Sequence, residues 1–156
     1  MAARLFIIAM VGFLVLSAGM RVRDENISPV THALTKDECS ECHLAFPAAM
    51  LPSTSWTRMM NSLESHFGED ASLDEESVAA ITSYLNSNSA DSSWIGNRFS
   101  RGQTNDWPLR ITETDHWLRE HENQSFKDVN SKDIIRSDCV ACHDNAANGD
   151  FRVDDA

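Results

Sequence analysis

ECSECHLAFPAA at residues 38–49 and DCVACHDNAANG at residues 138–149 hold all four cysteines of this 156-residue chain. Each contains Cys-x-x-Cys-His: Cys39, Cys42 and His43 in the first, Cys139, Cys142 and His143 in the second. A structural zinc site would want four Cys/His ligands in two matched knuckles. A dithiol redox pair would want a thioredoxin-like βαβ context, which the sequence lacks. A disulfide framework is legitimate in an exported chain. None of these explains a histidine directly after the second cysteine, twice. Covalent haem does. Two thiols form thioether links to the two vinyl groups, a two-residue spacer presents both sulfurs to one porphyrin edge, and the next residue lies under the iron. The motifs therefore predict two covalently bound c-type haems, with His43 and His143 as the proximal iron ligands.

Export is read from the N-terminus. Arg4 precedes a charge-free run from Leu5 to Met20, whose densest apolar part, Leu5 to Leu16, has the length of a signal-peptide core. That is short of the roughly 20 apolar residues of a membrane span. Ser17 and Gly19 suit cleavage after Gly19, so residues 1–19 are expected to be a signal peptide, or an anchor if uncleaved. The expected location is the periplasm. Without residues 1–19, which carry only Arg4, the formal charge moves from −11 to −12 over 137 residues. Such a surface repels nucleic acid and anionic lipid and biases encounter toward partners with a basic rim. Chains this small for two sites are marginal on side-chain core alone, and a buried porphyrin adds apolar surface.

Helical period is clearest in PSTSWTRMMNSLESHFG, residues 52–68, where Trp56, Met59, Met60, Leu63 and Phe67 share a face. Ser53 or Ser55 is the expected cap and Gly68 the expected end. SLDEESVAAITSYLN, residues 72–86, predicts a second helix with a Ser72/Glu75 capping box, a Val78, Ile81, Leu85 stripe and a stop at Asn86. Residues 86–108 are rich in Ser, Asn, Asp and Gly and mark a boundary, although Trp94, Phe99 and Trp107 argue for packing rather than disorder. Beyond it, residues 110–126 predict a helix capped by Thr112 or Thr114, and residues 131–143 a shorter one carrying the second motif. No strand pattern is present. The expected class is all-α, in two small haem-centred lobes: residues 24–90 with the first haem and 91–156 with the second. The lobes do not read as a repeat, because helices precede the second motif but follow the first.

The far side of each iron decides the chemistry, since Met/His ligation raises the reduction potential and an open side admits ligands. His32, His66, His116 and His121 remain. For the first haem the window SHFGEDAS contains His66, on the apolar stripe, where an unpaired imidazole is costly to bury. Met50, Met59 and Met60 compete, but the last two read better as adaptable core filler and Met50 is too close to the motif to reach the opposite face. His32 reads as a solvated loop residue. For the second haem His121 shares a helix face with Trp117 and Leu118, whereas His116 lies between Glu113 and Glu120 on a polar stripe.

The stretches ECSECHLAFPAAMLPSTSWTRMMNSLESHFGEDASLDEESVAAITSYL and RITETDHWLREH resemble the bacterial dihaem cytochrome c family, over about residues 37–145. Leu-Pro-x-x-Ser-Trp followed by His-Phe-Gly-Glu-Asp-Ala-Ser-Leu is the more specific part. One departure is the single Pro47, where the family tends toward Tyr-Pro-Pro. The resemblance implies a class-I-like N-terminal lobe, a less regular C-terminal one and bis-histidine ligation of both haems. It also implies electron donation to a small oxygen-binding monohaem cytochrome c, with a membrane b-type cytochrome as a donor. The expectation is a non-catalytic electron carrier. The rival is a small dihaem peroxidase or nitrogen-oxide reductase with one open iron, in which His32 or His116 would be an acid or base.

Overall fold

The computed structural model describes residues 27–92, 99, 103, 107–128 and 130–153. The expected signal segment, residues 1–19, and Trp94 lie outside the described residues. Four α-helices are described: α1 Ala33–Cys39, α2 Ser53–Met60, α3 Glu75–Ser87 and α4 Asp115–Glu120. Short 3-10 turns lie between and after them, and among the described residues there is no strand, only the isolated bridges His66 to Glu69 and Lys127 to Asp133. The all-α class holds.

Packing of α2 on α3 makes the main core, with Ala48, Leu51, Trp56, Met60, Ile81 and Leu85 buried together and Val78, Leu63 and Met59 against them. Burying a side chain such as Leu51 or Ile81 contributes about 1.5–3 kcal/mol. Trp56 is buried at no polar cost, because its indole N–H donates to the Ala48 carbonyl at 2.7 Å. Met59 and Met60 are core filler here, as the sequence suggested.

Helix α2 is shorter than its periodicity predicts, ending at Met60 rather than near Gly68. Ser62 leaves helical geometry (φ −142°, ψ 36°), and its hydroxyl donates back to the carbonyl of Arg58 at 3.0 Å. Side-chain bonding of this kind offers the backbone an exit from the helix. The start differs too: Pro52 is the N-cap residue, and Asp91 closes that end from beyond α3, accepting from the Ser53 backbone N–H at 2.9 Å and its hydroxyl at 2.8 Å. Ser55 instead donates to the Pro108 carbonyl at 3.1 Å, which ties residues 107–111 to this core. Helix α3 is capped not by Ser72 and Glu75 but by Asp74, which accepts from the Ser77 N–H at 2.9 Å. It runs on to Ser87.

Two further corrections concern the motifs. A helix, α1, precedes the first motif and ends on Cys39; it lacks an apolar stripe, and Thr35 is its one buried residue. Residues 131–143 are not an α-helix. Ser131 has positive φ, Lys127 pairs with Asp133, and only Cys139–Ala141 turns, as a 3-10 segment. With Ile135 74 % exposed, that stretch has no apolar face to bury as a helix.

A second cluster joins the ends of the described chain. Ile27, Ala49 and Met50 are buried together, with Phe46, Phe99, Ile111 and Phe151 against them. The Ile27 N–H donates to the Gly149 carbonyl at 2.7 Å, and Gly149 has φ +79°. No helix among the described residues is long and apolar enough to cross a membrane.

Candidate haem sites

The first motif follows α1 directly, so the helix C-terminus sets where Cys39 points and the turn after it brings round Cys42 and His43. His43 is held on two sides. Its Nδ1 lies 2.7 Å from the Leu44 carbonyl, so Nδ1–H donates there and the Nε2 lone pair is left for a metal. Its ring stacks on Phe46, 4.9 Å between centroids at 21°.

His66 comes to the same place from a turn, not from the helical stripe the sequence predicts. Its backbone N–H donates to the Glu69 carbonyl at 2.8 Å and its carbonyl accepts from the Glu69 N–H at 3.1 Å. Phe67 and Gly68 take positive φ values of 55° and 109° to close that turn. The imidazoles of His43 and His66 face each other with centroids 6.0 Å apart and planes 24° from parallel. Burial, then His43, then Arg110 push the His66 pKa down, toward the neutral form that ligates metals. The Arg110 guanidinium carbon is 4.0 Å from the Phe67 ring centroid.

The second motif is a tight turn in which the Cys142 and His143 N–H groups donate to the Cys139 carbonyl at 3.2 and 2.9 Å. His121 is the residue after α4, a six-residue helix capped by the Thr114 hydroxyl, which accepts from the Trp117 N–H. The imidazole stacks on Trp117, 4.2 Å between centroids at 12°, and its Nδ1 lies 2.8 Å from the Trp117 carbonyl. That again leaves Nε2 free. His121 and His143 stand 6.1 Å apart with planes at 85°. Beside His121 opens a cavity of ≈ 770 Å³ lined by Trp117, Leu118, Phe126 and Arg136 among others, within the size range of cofactor sites.

The spacing of both pairs is informative. A metal–imidazole bond of about 2 Å, plus about 1 Å to the ring centre, puts two imidazoles on opposite sides of one metal about 6 Å apart. Both pairs meet that distance, so the residues fit a haem iron between them. Cys39, Cys42, Cys139 and Cys142 are not joined in disulfides. Burial and then Asp138 push the Cys139 thiol up to about 11, and burial with Glu38 raises Cys39, the reverse of what a redox-active dithiol needs. Among the described residues no three His, Cys, Asp or Glu side chains converge as a metal cluster.

The remaining histidines go elsewhere. His32 is not a solvated loop residue: its Nδ1 is 2.8 Å from the Thr35 hydroxyl and its ring stacks on Tyr84 at 5.2 Å. His116 meets the edge of Phe99 at 4.4 Å rather than the carboxylates of Glu113 and Glu120. Met50 is buried in the second apolar cluster. Sequence reasoning missed Phe46, Phe126, Phe151 and Arg136, aromatic or cationic neighbours of the two sites; Phe46 follows His43 by three residues, the one local signal among them.

The family model for dihaem cytochrome c matches residues 35–151. Three solved structures are similar. A dihaem cytochrome c from Rhodobacter sphaeroides is 48 % identical, with 80 % of this chain and 99 % of that one covered and a TM-score of 0.72. A second structure, of DHC purified from Rhodobacter sphaeroides, is 43 % identical over 79 % and 99 %, with a TM-score of 0.63. The dihaem cytochrome c of Shewanella baltica OS155 is 32 % identical over 77 % and 86 %, with a TM-score of 0.62. No functionally curated protein matches the chain. A sequence that shares this family's pattern over most of its length, and its solved fold at 48 % identity, belongs to the dihaem cytochrome c family and carries electrons on two covalently bound c-type haems.

Proposed function

We propose that this protein is a non-catalytic one-electron carrier whose haems are both bis-histidine ligated, the first by His43 and His66 and the second by His143 and His121. The observation that carries the reading is the separation of the two imidazole pairs, 6.0 and 6.1 Å between ring centroids. Each haem, when bound, supplies a one-electron iron couple. The chain's part is to hold the ligands still. The Leu44 and Trp117 carbonyls fix the tautomer and direction of His43 and His121, while Phe46 and Trp117 keep the rings from turning. Ligands orientated in advance reorganise little when the iron changes charge. Two protein ligands on each iron leave no position for oxygen or peroxide, which is what separates a carrier from an enzyme.

The attachment residues are Cys39 and Cys42 in the N-terminal lobe, residues 24–90, and Cys139 and Cys142 in the C-terminal lobe, residues 91–156. The redox partner is a small oxygen-binding monohaem cytochrome c with a basic rim, suited to a formal charge of −12 once residues 1–19 are removed, in the periplasm behind a signal at residues 1–19. A membrane b-type cytochrome supplies the electrons. Ligation is tested by EPR of the purified two-haem protein. His66→Ala and His121→Ala each convert one haem to high spin or to altered ligation, whereas His32→Ala and His116→Ala change neither. Carbon monoxide leaves the reduced spectrum unchanged. Rapid stoichiometric binding of carbon monoxide to either haem in the unmodified protein favours the enzyme reading instead.

A further inference from the structure

The turn that carries His66 bends at a costly place. Phe67, a bulky residue, stands at φ +55°, a region such side chains rarely enter, and is 43 % exposed. Strain of this kind persists only where the surroundings hold it, and it collects at functional sites. The turn's backbone bonds, between His66 and Glu69 and from the Ala71 N–H to the Leu63 carbonyl at 2.9 Å, close its base and leave the tip to side chains. There the Phe67 ring meets the His66 imidazole, 4.8 Å between centroids at 60°, and the Arg110 guanidinium, whose carbon is 4.0 Å from the ring centroid. That is cation–π distance, and such a contact is favourable at an exposed position too. Arg110 comes from beyond α3, and the core fixes where it stands. Ser55 and Arg58 of α2 donate to the Pro108 and Trp107 carbonyls at 3.1 and 3.3 Å. Ile111 packs against both apolar clusters, and Glu113 lies 3.7 Å from the Arg110 Nε.

We propose that Arg110 is a positioning residue for the first haem: by seating the Phe67 ring it keeps the His66 imidazole on the iron, so the chain beyond α3 governs how firmly that haem stays closed. A ligand carried on a turn is lost when the turn swings out, and every contact made only in the seated form lowers the fraction of time it is open. An exposed cation–π contact changes that fraction about two- to fivefold. The second haem has no such dependence, because His121 follows directly on α4 and stacks on Trp117. The proposal rests on the reading that His43 and His66 hold the first haem.

The test uses the oxidised two-haem protein, with cyanide as the displacing ligand and EPR of samples frozen during the reaction, which follows each haem separately. The low-spin signal that survives in His121→Ala identifies the first haem, and haem content is measured for each variant. Arg110→Ala should speed cyanide uptake at the first haem about two- to fivefold. Arg110→Lys, which keeps a cation, should fall between it and the unmodified protein, and the second haem's rate should move in neither. Phe67→Ala should also open the first haem faster, and adding Arg110→Ala to it should change nothing more, since the guanidinium acts through that ring. An unmoved rate at the first haem in Arg110→Ala, an equal rise at both haems, a Lys rate equal to that of Ala, or a full additional rise in the double variant overturns the proposal. If Phe67→Ala fails to load haem, the two Arg110 variants still decide. Failure of the ligation reading looks different, since His66→Ala would then leave the first haem's low-spin signal intact whatever the cyanide rates do.

Discussion

Adding one methyl group at Gly149 should unlatch the two ends of the molecule. A Cβ at this position would sit 1.8 Å from the Ile27 carbonyl oxygen, 3.0 Å from its carbon and 3.2 Å from the Pro29 nitrogen. All three are backbone atoms, so no side chain can swing aside. Three losses follow in Gly149→Ala. Holding a non-glycine residue at φ +79° costs about 1–2 kcal/mol. Retreat of the Ile27 backbone forfeits its 2.7 Å bond to the Gly149 carbonyl, about 0.5–1.5 kcal/mol. The same retreat exposes Ile27, now 4 % accessible, at about 1.5–3 kcal/mol. Together these give about 3–6 kcal/mol. Gly68→Ala is the internal control: φ is +109° and nothing lies within 4 Å of the added carbon, so the backbone cost of about 1–2 kcal/mol stands alone. Guanidinium unfolding of the oxidised two-haem protein, followed by far-UV circular dichroism, measures both. A Gly149→Ala midpoint no lower than that of Gly68→Ala would refute the reasoning.

Further expectations concern spectra, acid and salt. Near-parallel imidazole planes split the two π-type iron d orbitals, whereas near-perpendicular planes leave them almost degenerate. The 24° and 85° pairs should thus give one ordinary rhombic low-spin EPR signal and one with a single feature at unusually low field; two identical rhombic signals would count against the second geometry. Asp91→Ala removes the cap of α2 and should cost about 1 kcal/mol in urea unfolding at neutral pH. Burial raises the Asp91 carboxyl, but hydrogen bonds from Ser89 and Ser53 outweigh it and leave the pKa lowered. Its stabilisation is therefore present above the ordinary carboxylate pKa of about 4 and lost as pH falls through the lower folded value, so the gap between Asp91→Ala and the unmodified protein should close in acid. Electron transfer to a basic-rimmed cytochrome should slow as salt rises, because exposed charges are screened within about 10 Å at 0.1 M; a rate indifferent to ionic strength would point to an apolar contact.

Chemistry was more legible in the sequence than shape. Cys39, Cys42 and His43 are adjacent in the chain, and a motif whose parts are neighbours needs no fold to be read. Helix periodicity placed the Val78, Ile81, Leu85 stripe correctly because those side chains do make the core. Where helices stop was less readable, since the decisive contacts are remote or polar: Asp91 reaches Ser53 across 38 residues, and Ser62 turns its hydroxyl back onto Arg58. His66 shows the same limit. It faces His43, yet the argument from its helical stripe does not describe how it arrives there, because the turn at Phe67 and Gly68 carries it. His121 was reasoned from helix phase, and α4 ends one residue before it. Helix α1 and the true form of residues 131–143 left almost no apolar signal to read.

The bond from Ile27 to Gly149 also sets an order in time. Ile27 and Gly149 stand 122 residues apart, so the latch can close only after the segments between them have come together. Ala49 and Met50, which Ile27 covers together with Phe151, stay partly open to water until then. Local helices form quickly, but closing a loop that spans nearly the whole described chain is entropically costly and comes late. The second Cys-x-x-Cys-His lies just before the closing residues. Any change that parts Ile27 from Gly149 therefore loosens the backbone six residues beyond His143, so the far end of the described chain helps to hold the second motif in place.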